Sequence, residues 1–196
     1  MLYDRFTRLL HLLIASGLVV QLVNSLVMVH PKPGRQGDTW YGMHEIWGQA
    51  LLGLLVAHWI WCLLRAGNIS FALLFPWFSP SRRLAIKEDI RRYLDHAARF
   101  RLPDSGERIS PLASAVQGLG LSVATLLGVS GLILFVAMEE NGEMSGWARG
   151  IKEAHEVMGA LMWGYLLVHG IMVVLHQLAG HGGLRAMLRV WERNPR

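Results

Sequence analysis

Cysteine is nearly absent from this chain, since Cys62 is the only one among 196 residues. A single cysteine excludes an internal disulfide framework, so cross-links do not hold the fold together. Charge is also sparse, because only 17% of the residues are charged whereas 53% are hydrophobic. So few charges leave room for long apolar runs, and these runs indicate the class of protein.

Four apolar runs exceed the length of about 18 residues that marks a membrane-spanning helix. We place the spans near residues 8–29, 43–64, 111–138 and 154–178. The first run follows Arg5 and Arg8, as a signal peptide would, but it is too long for one and no clear cleavage site follows, so we expect a retained helix. The sequence predicts an all-α fold, an integral membrane four-helix bundle in up-down-up-down order, as a single domain over residues 1–196.

The basic residues are distributed unevenly between the connections. The connection over residues 65–108 holds nine Arg or Lys against five acids, whereas the connection after the third span is acidic on balance. The C-terminal segment adds four arginines: Arg185, Arg189, Arg193 and Arg196. The positive-inside rule therefore predicts that both termini and the middle connection face the cytoplasm. This distribution explains the net charge of +5 without nucleic acid, for which the chain has no motif.

Residues 81–100, between the second and third spans, have the pattern of an amphipathic helix. Apolar side chains recur at helical spacing along one stripe: Ile86, Ile90, Tyr93, Leu94, Ala97 and Phe100. Basic side chains accompany this stripe, so we expect the helix to lie flat on the anionic cytoplasmic leaflet. A solvated connector is the alternative.

One histidine pattern occurs twice in the chain. Each copy reads His-Glu-x-x-Gly with a second histidine fourteen residues after the first: His44, Gly48 and His58, then His155, Gly159 and His169. Fourteen helical residues advance about 1400°, within roughly 40° of whole turns, and about 21 Å along the axis. The two histidines of each helix therefore share a face and lie near opposite surfaces of the membrane. This arrangement indicates two metal centres stacked across the membrane, with haem as the candidate because neutral imidazole is a standard axial ligand.

The predicted topology sorts the histidines by depth. His44 and His155 both begin their spans on the periplasmic side, which predicts a bis-histidine site between them. Three candidates lie on the cytoplasmic side, namely His11, His58 and His169, and spacing alone favours His58 with His169. The chain has no Cys-x-x-Cys-His motif, so covalent attachment of a c-type haem is excluded.

Small and acidic residues follow the proposed ligands. Gly48 and Gly159 lie four residues after His44 and His155, and we expect both to contact haem, because a porphyrin between helices needs room. Ordinary small-residue packing of membrane helices is the alternative. The glutamates that follow the two histidines lie in the first helical turn, where the helix dipole favours a carboxylate, so we assign them no proton chemistry.

Further segments extend this pattern over essentially the whole chain: Tyr3-Asp4-Arg5-Phe6-Thr7-Arg8 before His11, and His155-Glu156, Gly159, His169 and His176 before Gly183-Leu184-Arg185. With His44, these segments resemble the bacterial cytochrome b561 family, whose superfamily includes the cytochrome b subunits of nickel-iron hydrogenases and of formate dehydrogenase. The resemblance implies two b-type haems, one held by His44 and His155 and the other by His11 and His169. The family often has an arginine where this chain has His58, which favours His11 as the ligand and leaves His58 to a propionate or to proton movement.

The resemblance also implies where the protein acts and with what. It implies a multi-pass protein of the bacterial inner membrane that moves electrons between a periplasmic donor and the quinone pool. The donor would be a dehydrogenase, a hydrogenase-type partner or a soluble cytochrome. His176 would lie at the cytoplasmic interface, beside a propionate or a quinone carbonyl, or would be an interface histidine without either contact.

The sequence leaves two alternatives to this function open. A stand-alone superoxide:quinone oxidoreductase of the same family type would need a positively charged funnel to steer its anionic substrate. The acidic balance of the outer connections favours a protein donor instead, although Arg149 and Lys152 would allow a local basic pocket. A histidine-lined metal transporter or a structural subunit would bind no haem.

Overall fold

The structure is a computed structural model, and it describes residues 4–64, 74–99, 101–103, 110–138, 143–181 and 183–188. Several residues named in the sequence analysis lie outside these ranges: Tyr3, Phe100, Arg189, Arg193 and Arg196. Within the described ranges the chain is helical and has no β-strand.

The helices follow in the order α1 (Arg5–Ser25), α2 (Thr39–Leu64), α3 (Pro80–Ala97), α4 (Pro111–Ala137), α5 (Gly146–Leu178) and α6 (Gly183–Leu188). Four of them, α1, α2, α4 and α5, are long and apolar enough to cross a membrane. Their apolar side chains are mostly exposed, and only 6% of the most hydropathic window of α5 is buried. So much exposed apolar surface suits lipid rather than water. The all-α membrane fold predicted from the sequence is confirmed.

Two helix ends differ from the ends that hydropathy indicates. The helix α1 stops at Ser25, although apolar residues continue to Val29, because the chain turns there and Val29 pairs with Asp38. The Val29 amide donates to the Asp38 carboxylate over 3.1 Å, and the Asp38 amide donates to the Val29 carbonyl over 3.2 Å. The helix α5 begins at Gly146, well before residue 154. The prediction missed these first turns because they are polar and hydropathy detects only the apolar part of a helix.

Acidic side chains cap the first two spans. At the start of α1, the Asp4 carboxylate accepts hydrogen bonds from the Thr7 amide (2.7 Å) and the Thr7 hydroxyl (3.0 Å). At the start of α2, the Asp38 carboxylate accepts one from the Tyr41 amide (2.9 Å). These bonds satisfy amides that have no partner inside the helix. The Asp38 cap determines where α2 begins, and therefore which turn carries His44.

The chain packs as two compact units. The histidine unit comprises Leu10–His58 and Ser122–Leu166, and the terminal unit comprises the described residues of Met1–Leu9, Trp59–Leu121 and Leu167–Arg196. Each unit takes one segment from each of the four long helices. Within the histidine unit, α1 and α2 run antiparallel, because Gln21 bonds the His44 carbonyl and Asn24 bonds the Trp40 carbonyl.

In the terminal unit, the predicted amphipathic helix is confirmed as α3, and polar side chains attach it. The Asp89 side chain is buried and accepts a hydrogen bond from the Leu112 amide over 3.1 Å, at the first turn of α4. The Tyr93 hydroxyl lies 3.4 Å from Nε2 of His176 on α5. Leu94, in the predicted apolar stripe, is 64% exposed. The contacts with the unit are therefore made by Asp89, which lies beside the stripe, and by Tyr93, which belongs to it. The position of the stripe on the leaflet stays a prediction.

Also in the terminal unit, backbone packs directly against backbone at Gly118 of α4. A Cβ atom at this position would lie 1.8 Å from the carbonyl oxygen of Leu74, so only glycine allows the two chains to approach. Leu74 precedes the short 3-10 turn Pro76–Phe78. The neighbouring Phe75 stacks on Trp59 with ring centroids 5.9 Å apart, which holds this segment against α2.

Candidate functional site

The histidine unit encloses a cavity of about 430 Å³ between its four helix segments. We call it the paired-histidine cavity, after His44 and His155. Its walls include three histidines and four glycines: His30, His44, His155, Gly48, Gly128, Gly131 and Gly159. Most of the other lining side chains are apolar, including Phe135 and Trp163. A largely apolar cavity of this size with a few convergent polar groups is typical of a site for a small molecule or a cofactor.

The two histidines predicted to pair do face one another in this cavity. The ring centroids of His44 on α2 and His155 on α5 are 6.4 Å apart, and the ring planes cross at 81°. A metal–imidazole bond of about 2 Å, plus a ring radius of about 1.2 Å on each side, puts two axial imidazoles of one metal about 6.4 Å apart. The spacing of the pair therefore fits a haem, whose iron the two imidazoles would hold.

Amide side chains of α1 hold the beginning of α2. Gln21 donates a hydrogen bond to the carbonyl of His44 over 2.9 Å, and Asn24 donates to the carbonyl of Trp40 over 3.0 Å. Both amides are buried in an apolar helix, where such bonds bind helices together. The backbone that carries His44 is thereby attached to α1.

The His155 ring has a side-chain partner on α4. Its Nδ1 atom lies 2.8 Å from the hydroxyl oxygen of Ser130, which in turn donates to the carbonyl of Leu126 over 2.7 Å. Beside this contact, a Cβ atom at Gly131 would lie 3.3 Å from Cε1 of His155, so the glycine leaves room for the ring. The Nδ1 atom of His44, by contrast, is buried and makes no hydrogen bond of normal geometry within the described residues.

The glycines of the cavity wall differ in what lies beside them. A Cβ atom at Gly159 would meet nothing within 4 Å, so this position opens into the cavity. A Cβ atom at Gly48 would lie 2.8 Å from the side-chain nitrogen of Gln21. Gly48 therefore serves the contact between α1 and α2 as well as bordering the cavity. The predicted contact of both glycines with haem stays a prediction.

One end of the cavity carries its charged side chains. Lys152 pairs with Glu156 one turn later on α5, and both line the cavity. Burial lowers the pKa of the nearby His30, and Lys152 lowers it further, so this imidazole is neutral at pH 7. Glu45 adds a further carboxyl group. Among the described lining residues, Lys152 is the sole lysine or arginine, so this end has no net positive charge.

The remaining candidate histidines lie in separate parts of the chain. His11 and His58 are half-buried in the histidine unit, and His169 is half-buried in the terminal unit. The Nδ1 atom of His58 is buried without a hydrogen-bond partner among the described residues. The choice between His11 and His58 as the partner of His169 stays a prediction.

His176 has partners for both ring nitrogens in the terminal unit. Its Nε2 atom lies 3.4 Å from the Tyr93 hydroxyl, and its Nδ1 atom lies 2.8 Å from Nδ1 of His181. His181 follows Gly180, whose φ of 85° turns the chain at the end of α5. His176 therefore connects α3 with this turn, a role that the sequence analysis did not predict.

Sequence reasoning missed Gln21 and Ser130, the side chains that hold the two paired histidines in place. Both were visible as polar residues inside apolar spans, where side chains of this type commonly bond between helices. The pattern alone could not say which helix each would contact. That depends on how the helices are rotated about their axes.

Comparison with known proteins agrees with the site. The family model for prokaryotic cytochrome b561 matches residues 2–189, which is nearly the whole chain. No curated protein and no solved structure gives a significant match. A membrane fold, a glycine-walled cavity with two facing imidazoles and a match of this extent lead to one conclusion: the chain belongs to the prokaryotic cytochrome b561 family, membrane cytochromes that bind b-type haem and transfer electrons.

Proposed function

We propose that this cytochrome carries electrons across the bacterial inner membrane, between a periplasmic donor and the quinone pool, with two bis-histidine b-type haems. The observation that carries the proposal is the pair of facing imidazoles of His44 and His155, 6.4 Å apart across the cavity. When bound, haem supplies reversible one-electron chemistry, and two imidazole ligands leave no open position for oxygen.

The residues of the histidine unit prepare the outer site. His44 and His155 would hold the haem iron, and Gln21 and Ser130 limit the movement of the segments that carry them. Most of the side chains around the two imidazoles are apolar, which lowers the polarity of the site. Gly159 leaves space for a flat macrocycle beside α5, since nothing lies within 4 Å of its Cβ position.

The inner site is proposed to use His169 together with His11. The longer motif around His11 supports this choice, whereas the spacing of fourteen residues supports His58. The buried Nδ1 atom of His58 is compatible with a second role, in which this imidazole binds a haem propionate. Quinone would react near this end, on the side of the basic connection.

A protein donor at the outer end is supported by the charges beside the paired-histidine cavity. Lys152 is paired with Glu156, and His30 is neutral at pH 7. A protein that takes electrons from superoxide would need an uncompensated positive potential at this end of the cavity, because its substrate is a small anion. The basic side chain nearest to the site is instead neutralised by its neighbour.

The superoxide:quinone oxidoreductase is the second candidate, and Lys152 on the cavity wall is the observation that favours it. The two candidates differ in one experiment. Superoxide added to the purified oxidised protein should reduce it slowly under the first proposal, with a rate insensitive to Lys152→Ala. Rapid reduction that falls at least tenfold in Lys152→Ala, and falls with ionic strength, would favour the second.

The proposal itself is tested by a pyridine haemochrome count and a reduced-minus-oxidised spectrum of the purified protein. We expect two b-type haems per chain, both reduced by a quinol. His44→Ala and His155→Ala should each remove one haem, and the same one. His96→Ala is the matched control, because His96 is a histidine of α3 whose Nδ1 bonds a backbone carbonyl, and it should keep both.

The inner ligand is decided by the same measurement. His11→Ala should remove the second haem, and His58→Ala should keep both haems with an altered potential. The reverse result would make His58 the ligand. A wild-type protein without haem, from cells that make haem in excess, would contradict the whole proposal.

A further inference from the structure

Ser130 is the one hydroxyl that the structure brings to a ring nitrogen of either paired histidine, among the residues that it describes. We propose that Ser130 is a positioning residue that sets the tautomer, the ring plane and the basicity of His155, and thereby lowers the reduction potential of the outer haem. This inference rests on the proposed function, in which His155 is an axial ligand.

The hydrogen bonds around Ser130 determine which nitrogen of His155 carries the proton. The Ser130 hydroxyl has one hydrogen, and the carbonyl oxygens of Leu126 (2.7 Å) and Leu127 (3.1 Å) can only accept it. Its oxygen is therefore left to accept from Nδ1–H of His155, at 2.8 Å. The Leu127 carbonyl is a second acceptor beside the same ring. With the proton on Nδ1, the lone pair on Nε2 is free to bind iron.

The same contacts hold the plane of the ring. Ser130 contacts Nδ1 on one side of the imidazole. Gly131, the next residue, has no side chain, and a Cβ atom there would lie 3.3 Å from Cε1 of the ring. The His155 plane is thereby kept at 81° to that of His44. Burial of Ser130, which is 8% exposed, keeps water from replacing the bond.

A hydrogen bond from the far nitrogen makes an imidazole a stronger donor to its metal. A stronger donor favours ferric over ferrous iron, so the bond lowers the reduction potential. His44 has a weaker partner, because the Gln21 backbone lies near its ring but Nδ1 makes no hydrogen bond of normal geometry among the described residues. The two proposed ligands therefore differ in their hydrogen bonding. Ser130 is the side chain whose substitution changes this difference.

The test is a redox titration of the purified holoprotein, followed optically, with an EPR spectrum of the oxidised form. The outer haem is identified as the component that His44→Ala removes. Ser130→Ala should retain two haems, raise the midpoint potential of the outer haem and shift its low-spin EPR signal, which depends on the angle between the ligand planes. The inner haem should not change.

Two variants serve as controls. Ser130→Thr keeps the hydroxyl, so its outer-haem potential and EPR signal should match those of the wild type and not those of Ser130→Ala. Ser16→Ala removes a hydroxyl that bonds its own helix in the same way, to the carbonyls of Leu12 (2.8 Å) and Leu13 (3.1 Å), and that has no hydrogen bond to an imidazole within the described part of the chain. It should leave both haems as in the wild type.

An outer potential and EPR signal in Ser130→Ala that match those of Ser16→Ala would overturn the inference, and so would a failure of Ser130→Thr to restore them. Should Ser130→Ala not assemble, Ser130→Cys, which is nearly isosteric but a weak acceptor, must give the same upward shift. A wild-type protein without the outer haem would instead contradict the proposed function, so the two failures are distinguishable.

Discussion

The glycines of the long helices have different roles, and the neighbouring sequence does not show which glycine has which role. Gly118 is required because the Leu74 carbonyl occupies the space of a side chain. At Gly131 a Cβ atom would make only a tight contact with the His155 ring, at 3.3 Å from Cε1. Gly159 has no such neighbour and borders the paired-histidine cavity. The three positions therefore respond differently to a larger side chain.

Gly159→Leu should fill the cavity without clashing with the protein. We expect this variant to insert and fold but to lose at least half of the outer haem, because the leucine takes the space of the macrocycle. Gly164→Leu is the matched control on the same helix, since nothing lies within 4 Å of its Cβ position and it does not line the cavity. A haem count per chain measures the difference, and equal counts in the two variants would show that Gly159 does not face haem.

At the scale of elements, α3 shows that a polar side chain can attach an amphipathic helix to its neighbours. The sequence predicts that the apolar stripe lies on the leaflet, and the structure adds that Asp89 is the buried residue of α3. Asp89 bonds the Leu112 amide at the beginning of α4 and pairs with Arg92 over 2.7 Å. Since an unsatisfied helix amide is unfavourable, this one carboxylate both caps α4 and fixes α3.

Asp89→Ala should loosen α3 and destabilise the protein by about 1–3 kcal/mol, the usual effect of leaving a buried donor without a partner. Asp89→Asn keeps an acceptor oxygen for Leu112 and should recover part of the loss. Hydrogen–deuterium exchange of the α3 amides is the measurement, and it should rise in Asp89→Ala. Exchange no faster than in Asp95→Ala, a change at an exposed acid of the same helix, would contradict this role.

At the scale of the whole molecule, the distribution of charge predicts how the chain lies in the membrane. The connection rich in arginine should face the cytoplasm, and the connection between α1 and α2 the periplasm. The paired-histidine cavity would then lie near the periplasmic surface. The direction of electron flow depends on this orientation.

The presence of a single cysteine makes the orientation easy to test. In a Cys62→Ser background, Arg35→Cys should react with a membrane-impermeant maleimide added to spheroplasts, whereas Arg83→Cys should react only after the membrane is opened. Both positions are exposed, so accessibility within the protein does not limit either reaction. The opposite labelling would invert the topology and put the His44–His155 site on the cytoplasmic side.

Much of the fold was predictable because it depends on properties local to the chain. A run of apolar residues has to be helical in lipid to satisfy its own backbone, so the four spans follow from hydropathy and length. The ends were less predictable: α1 ends early because Val29 pairs with Asp38, a contact between residues nine apart. The polar first turns of α5 were missed because hydropathy carries no information about them.

The proximity of the two histidines was predictable from the sequence, whereas the side chains that hold them were not. His44 and His155 could be paired from sequence, since topology puts both at one depth, and their rings do lie 6.4 Å apart. The contact between Ser130 and His155 could not be predicted from sequence. Whether residues on different helices meet depends on the rotation and the vertical offset of both helices, which the sequence does not give. The role of His176 between Tyr93 and His181 was hidden for the same reason.

The sequence by itself thus determined the class of protein, the number of spans, the family and the proximity of His44 and His155, because length, hydropathy and motif spacing are properties of one chain segment at a time. Only the tertiary structure decided what holds those histidines, which glycines open into the cavity and how α3 is attached. These depend on contacts between segments far apart in sequence, such as Ser130 with His155, Gln21 with His44 and Asp89 with Leu112. Packing of side chains in three dimensions selects such contacts, and no local pattern specifies them.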